Sequence, residues 1–412
     1  MFLDLSIYTP TYISLSWALI LILSSRSNHA RSMLGIFMLV VAMVFMSHVV
    51  YFQHHKNVCI YFDLLFVFGS LSIFPAYYLY IKLLTYKSRI DRNELKHFFP
   101  AIAMLVAVSI TYLSMSDGQK ELYINNYLYG IGKFKDAPLI IQVQLALGYL
   151  LQILYFIQIV LSYIKIRQFV ANYNVRIANF YSNLENKTLE WPKMILYSFV
   201  VSSGFTLITN FMGRAFFDKS PLYLSVACLA YSVILFVLGF MGYMQNHTVK
   251  NIEDDTYIEP ECETETDIET NFQPNSEHSP QPISQSENIS RSKLKKQLQQ
   301  LFDEEQIYKN TDLKISDIAC KLNSNRTYLS NLINSEYGCS FSTYVNRHRI
   351  KAAKTLLDDK KNQNLALDHV ATLAGFGSLH SFIRAFKEIE NTTPGKYRDS
   401  SMTTENDNLI TN

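Results

Sequence analysis

Seven long apolar stretches crowd the first 245 residues, and no other feature restricts the fold of this chain so strongly. They lie at 6–23, 33–52, 60–84, 98–115, 139–164, 194–212 and 222–244. Each approaches or exceeds the ~17–25 residues that a helix needs to cross the apolar core of a bilayer. In a soluble protein every such run would have to be buried on all sides. Seven of them predict a polytopic transmembrane helix bundle instead. The first is the most polar, with Pro10 and several hydroxyls. The stretch MFLDLS before it carries Asp4 and no basic residue, so it reads as the outer end of a span rather than a cleavable leader. Charged residues make up only 17% of the chain, a share below that of ordinary soluble domains.

Loop charge sets the expected orientation. Segments 24–32, 85–97 and 165–193 hold eleven Lys and Arg, and the alternate segments 53–59, 116–138 and 213–221 hold six. The excess of positive charge marks the cytoplasmic side, which puts the start of the chain outside and its C-terminal part inside. Tyrosines near span ends, such as Tyr77, Tyr78, Tyr123 and Tyr127, suit the headgroup layer.

Polar residues inside the spans are candidates for more than anchoring. On the fifth stretch, Gln144, Gln152, Tyr155 and Gln158 share an arc of roughly 120° at helical periodicity, and Gln142 falls outside it. Amides in hydrocarbon require partners, so this stripe faces other helices. It serves either hydrogen bonds between helices or a cavity for a signal molecule. His48, His54, His55, Cys59 and Asp63 gather near the second hairpin without a diagnostic ligand spacing, so no metal is assigned. The five cysteines form no CxxC pair. No glycine-rich phosphate loop, zincin motif or nucleophile elbow occurs, which leaves an enzyme reading and a cofactor without support.

Charge is segregated beyond the apolar part. Residues 251–289 hold eleven Asp and Glu and no Lys or Arg, while 291–398 hold eighteen Lys and Arg against eleven acids. The acidic strip has too little apolar surface to order itself. It reads as a spacer, or as a competitor with DNA for the basic segment.

The basic segment repeats one pattern. A leading helix at 294–302 places Leu294, Leu298, Leu301 and Phe302 on one face. Ile315, Ile318, Ala319 and Leu322 then mark a short helix, and Asn323 and Ser324 a turn. Asn325 caps a second helix whose buried face is Leu329, Leu332 and Ile333, and Gly338 ends it. The pattern returns with Leu367, Val370, Ala371 and Leu373, the turn Gly375-Phe376-Gly377, and a helix burying Phe382 and Phe386 before Asn391. Two short helices joined by a tight turn, with polar residues on the outer face of the second, form a helix-turn-helix.

Residues 294–398 resemble the DNA-binding domain of the AraC/XylS family of bacterial transcription regulators. The resemblance is carried by Ile318-Ala319, Tyr328-Leu329, Tyr337-Gly338, Phe341, Tyr344, Arg349, Ala352-Ala353, Leu356-Leu357, Val370-Ala371, Gly375-Phe376, Phe382, Arg384, Phe386-Lys387, Thr393-Pro394 and Tyr397-Arg398. It implies two helix-turn-helix motifs joined by a long helix near 342–357, with both recognition helices entering successive major grooves of double-stranded DNA. Position by position, it implies base readout by Thr327, Ser330 and Asn331 in the first motif and by His380 and Arg384 in the second. Arg326, Ser378 and Lys387 fall to phosphates, which set register without reading sequence. Arg384 suits guanine and Asn331 adenine. Asn331 stands where the family often has Arg, Ile383 where it often has Ser, and Asn391 where it usually has Gly.

The whole chain therefore reads as all-α, with a bundle of about seven spans followed by a double helix-turn-helix domain. The expected parts are a sensor or anchor at 1–248, an acidic disordered linker at 249–290, the DNA-binding domain at 291–400 and a disordered tail at 401–412. The corresponding function is that of a one-component transcription factor in the bacterial cytoplasmic membrane. Its expected partners are DNA, lipid, an unknown signal molecule, RNA polymerase and a second copy of the chain. Two other readings stay open: a membrane signalling adaptor whose helical tail binds a protein, and a transporter with a regulatory tail. The transporter lacks the paired broken helices of that class.

Overall fold

The computed structural model describes residues 2–25, 28–86, 90–129, 134–185, 187, 221–245 and 285–400 less position 363, with three single positions between 191 and 204. Among the described residues there is no strand, only an isolated antiparallel bridge between Tyr181 and Lys314. The chain divides into two compact units. One is Met1–Tyr173 with Leu189–Asp254, and the other is Asn174–Thr188 with Asp255–Asn412.

The first unit is built from α1 (Phe2–Leu23), α2 (His29–Phe52), α3 (Cys59–Thr85), α4 (Phe99–Ser114), the short α5 (Asp117–Leu122), α6 (Leu139–Phe180) and α7 (Pro221–Met244). Among the described residues, six helical segments are long and apolar enough to cross a membrane. All but three single positions of the expected stretch at 194–212 lie outside the described residues. So do most of the acidic strip and the tail at 401–412.

Packing follows side-chain size. α1 lies against α2 and α7, α2 against α3, and α3 against α4. The first two contacts are close because a glycine sits at each. A Cβ on Gly239 would stand 2.3 Å from the Trp17 ring, and one on Gly35 2.6 Å from Ile22. Small residues at such crossings let apolar helices approach without a cavity. Two hydroxyls of α1 find partners, one within the helix and one across to α7: Ser14 Oγ donates to Pro10 O at 2.7 Å, and Thr9 Oγ1 bonds Ser232 Oγ at 2.8 Å. Near the second hairpin, Tyr51 and Tyr129 stack at 4.6 Å; the Tyr51 hydroxyl donates to Leu128 O and the Tyr129 hydroxyl to Tyr51 O.

α6 departs from the expected pattern. It does not stop near residue 164 but runs 42 residues to Phe180, about 63 Å at 1.5 Å per residue. Half of the segment 165–193 is thus helix rather than loop. The reason lies in Ile166, Val170, Tyr173 and Ile177, which recur at helical spacing and are completely buried. The final turns of α6 belong to the second unit.

The second unit comprises α8 (Gln285–Asp303), α9 (Ile315–Lys321), α10 (Arg326–Tyr337), α11 (Phe341–Asp358), α12 (Leu367–Leu373) and α13 (Leu379–Glu390). α8 begins at Gln285, upstream of the apolar run at 294–302 and inside the stretch assigned to the linker. Leu294, Leu298, Leu301 and Phe302 are buried as their spacing requires. Around the second motif, Ile350, Ala353, Leu357, Val370, Ala371, Ala374, Phe376, Phe382, Ala385 and Phe386 form one core. Leu373 departs from expectation: it is 43% exposed, and Ala374, one residue on, is fully buried. The stripe 370, 371 and 374 is the one that faces inward on a helix starting at Leu367.

Candidate nucleic-acid interface

Both helix-turn-helix motifs are closed by local chemistry readable in the sequence. In the first, Asn323 takes φ 47°, and the Asn325 side chain accepts from Tyr328 N at 2.7 Å to cap α10. Gly338, at φ 63°, ends that helix in the left-handed conformation. In the second, Gly375 sits at φ 91°, and a Cβ there would lie 2.7 Å from Tyr308 O and from Lys309 Cα. Only glycine meets both demands. The Ser378 side chain accepts from Ser381 N at 3.1 Å to cap α13, and Asn391 ends it at φ 55°.

The caps and apolar stripes fix which faces point outward. On α10, Leu329, Leu332 and Ile333 are buried, so Thr327 and Asn331 are exposed and Arg326 and Ser330 half-buried. On α13, Phe382, Ala385 and Phe386 are buried, so His380, Arg384 and Lys387 form an exposed row spaced by four and three residues. Ser378 stands half-buried at the head of that helix. Each motif therefore presents a polar, partly basic helix face rather than an apolar one.

α8 steadies the first motif. Arg291 and Lys295 both pair with Glu336 near the end of α10, at 3.0 and 2.7 Å, and Arg291 also donates to Ser335 Oγ. The Lys295 hydrogen bond holds the Glu336 carboxyl below its usual range. Between the motifs, the Arg349 side chain of α11 is buried to 1% exposure. It donates from Nε to Tyr308 O at 2.7 Å, and from Nη2 to Asn310 O at 2.7 Å and Ser182 Oγ at 3.3 Å. Burial pulls its pKa down to about 10. A buried guanidinium with three acceptors is a framework residue, which its place among the family-like positions did not reveal.

No pattern in the chain signals what bonds Ser378. Expected to hold a phosphate, its Oγ instead donates to the Glu185 carboxylate at 2.6 Å. Glu185 comes from the segment after α6, and nothing in its local sequence signals a role beside a recognition helix.

The glutamine stripe divides. Gln144 is buried and bonded to Thr111 of α4, while Gln142 turns away to Ala137 O. Gln152, Tyr155 and Gln158 are half-buried; Tyr155 packs edge-on to Phe74 at 5.4 Å. The residues near the second hairpin separate into different pairs. His48 bonds Val44 O, Cys59 lies 3.7 Å from Tyr129 Oη, and Asp63 accepts from Tyr112. Among the described residues no three of His, Cys, Asp or Glu are grouped to hold a metal ion.

An all-helical domain with two capped helix-turn-helix motifs defines a DNA-binding transcription regulator, and comparison with known proteins agrees. Residues 311–400 match a protein family described as "Helix-turn-helix domain". The chain is 32% identical over 97 residues to "Probable transcription factor PqrA" of Proteus vulgaris, covering 24% of this chain and 77% of that protein. It is 36% identical over 88 residues to the uncharacterized HTH-type transcriptional regulator YtdP of Bacillus subtilis, 21% of this chain and 11% of that one. To the Msm operon regulatory protein of Streptococcus mutans it is 31% identical over 88 residues, 21% of this chain and 31% of that protein. Through this domain the chain belongs to the AraC-type helix-turn-helix transcription regulators. The match spans under a third of the length of YtdP and of the Msm regulator. No solved structure matches.

Proposed function

We propose that the protein is a one-component transcription regulator held in the bacterial cytoplasmic membrane, with its DNA-binding domain in the cytoplasm. One observation carries this reading: the apolar helices turn much of their greasy surface outward in the same chain that ends in the regulator domain. Leu113 is 84% exposed, Leu139 77% and Val233 63%. Large apolar side chains exposed on several helices are a liability in water and are accommodated in lipid. The Gln144–Thr111 bond supports the structural use of at least one stripe residue. Gln152, Tyr155 and Gln158 remain the candidates for contact with a signal molecule.

In this reading Thr327, Ser330, Asn331, His380 and Arg384 read bases, while Arg326, Ser378 and Lys387 hold phosphates. The signal acts by favouring one of two states of the membrane unit over the other, since differential affinity alone can shift such a balance. Two copies of the chain on paired half-sites would raise the effective concentration of each domain at its site.

The test joins membrane fractionation of the tagged full-length protein to mapping of the DNA it occupies across the genome. A fluorescent reporter that matures only in the cytoplasm, fused to the C-terminus, fixes the side. The expected outcome is an integral membrane protein, a bright reporter and occupancy at a few sites sharing a sequence. Recovery in the soluble fraction, a dark reporter or occupancy without sequence preference overturns the reading.

A further inference from the structure

We propose that the segment following α6 is a built-in clamp on the DNA-binding domain, with Glu185 occupying the place of a DNA phosphate at the head of the second recognition helix. The proposal rests on the DNA-binding reading above and adds how that site is controlled.

The segment is docked at several points, all within the second unit. Tyr181 bridges to Lys314, and Ser182 N donates to Leu313 O at 3.0 Å. The Ser182 carbonyl accepts from Ser342 Oγ at 3.1 Å, and its hydroxyl accepts from the buried Arg349. Ser182 is 2% exposed, a degree of burial that a casual surface contact would not reach. Asn183 follows against the turn of the second motif, where a Cβ on Gly377 would stand 2.8 Å from its Nδ2. Asn183 Oδ1 accepts from Glu185 N at 3.0 Å, which turns the backbone and aims the Glu185 side chain. Lys187 braces the turn by donating to Asn183 O at 3.2 Å and lying 4.9 Å over the Tyr181 ring.

The carboxylate ends on Ser378, the cap of α13. The start of a helix carries free N–H groups and partial positive charge, which favour an anion. A recognition helix in the major groove uses that same end, with its hydroxyl cap, to hold a phosphate. Two anions cannot share one hydroxyl donor, so Glu185 and the DNA backbone exclude each other at Ser378. Because the clamp follows α6 directly in the chain, a change in that helix has a covalent route to the DNA-binding face. Glycine at 377 acquires a second use here, since a larger residue would push Asn183 away.

The test uses the full-length protein in lipid nanodiscs and a duplex pool enriched from a randomised library by that same protein. Glu185→Ala should tighten DNA binding about tenfold, the scale of one hydrogen bond to a charged group. Glu185→Gln, which retains an acceptor but not the charge, should fall between the two. In the unsubstituted protein, saturating DNA should speed amide hydrogen exchange at 182–185 while slowing it in α13. Unchanged affinity in Glu185→Ala, or exchange at 182–185 that DNA leaves as slow as before, overturns the clamp while DNA binding stands. Absence of any enriched duplex overturns the DNA-binding reading and the clamp with it. Should the variants fail to fold, the exchange measurement decides alone.

Discussion

The two recognition helices share one architecture and differ in what they are made of. α10 buries Leu329, Leu332 and Ile333 and offers hydroxyls and an amide, Thr327, Ser330 and Asn331. α13 buries two phenylalanines and offers His380, Arg384 and Lys387. The first is braced at its end by ion pairs from α8. The second is held at its start by a carboxylate from a distant part of the sequence. The bracing contacts on α10 sit at its C-terminal end, whereas the contact on α13 sits on its N-terminal turn. The same fold thus yields one helix braced at its end and one held at its start.

The largest difference should appear in the cores. Phe382→Ala should cost about 3–5 kcal/mol, and Leu329→Ala about 2–5 kcal/mol, as buried side chains are lost and cavities remain. Loss of amide exchange protection, read separately in α13 and α10 of the full-length protein, measures each. Equal loss in both helices after either change would show a single cooperative core, and the two motifs would no longer count as separate units. Next comes readout. Arg384→Ala should lose roughly 1–3 kcal/mol of discrimination at one base pair, and Asn331→Ala a comparable amount at a different pair. Selection from a randomised duplex library by each variant shows which position relaxes. If both variants relax the same position, the two helices do not read separate half-sites.

Much of this comparison is legible in the sequence because it depends on short-range chemistry. Asn325 before an amphipathic run, Gly338 after it, and Gly375-Phe376 at the second turn each announce a local conformation. The apolar helices are legible for the same reason, since length and hydropathy need no tertiary context. What stayed hidden is long-range. No spacing rule connects Glu185 to Ser378 or Ser182 to Arg349, since each pair lies far apart in the chain. The over-long α6 was hidden by a competing signal. Lys165, Arg167 and Arg176 read as a basic loop, while the buried stripe of Ile166, Val170, Tyr173 and Ile177 interleaved with them keeps the backbone helical. Leu373 misled in a smaller way, because a leucine beside an alanine attracts the core assignment that Ala374 holds.

Acidification should separate the motifs further, with an effect smaller than a core truncation. His348 of α11 packs between Phe302 at 4.8 Å and Tyr344 at 5.1 Å, on the side of the first motif. Burial lowers its pKa, and the nearby Asp303 opposes that only in part. A folded-state pKa below the unfolded value means that the unfolded chain takes up the proton first. Stability is therefore complete above the ordinary histidine pKa of about 6.5 and declines as pH falls from there towards the folded value. Exchange protection in α10 and α11 should weaken as pH falls below about 6.5, more than it does in α13. His348→Phe should remove the excess. An equal decline in α13 would trace the acid response to something shared by both motifs.

The smallest expected effect lies in the two left-handed caps. Gly338 and Asn391 occupy equivalent positions at φ 63° and φ 55°, yet only glycine adopts that region without steric cost. Asn is the next best residue there, because its short side chain tolerates the left-handed region. Asn391→Gly should therefore stabilise α13 by a few tenths of a kcal/mol, offset in part by the greater entropy of glycine in the unfolded chain. Gly338→Asn should cost α10 a similar amount, and Gly338→Ala more, since alanine has neither freedom nor a polar side chain. Nothing lies within 4 Å of a Cβ placed on Gly338, so backbone conformation alone decides the result there. Exchange protection across the last turn of each helix reports the change. If Gly338→Ala costs no more than Gly338→Asn, the left-handed cap does not limit the stability of α10, and the contrast between the motifs rests on their side-chain packing alone.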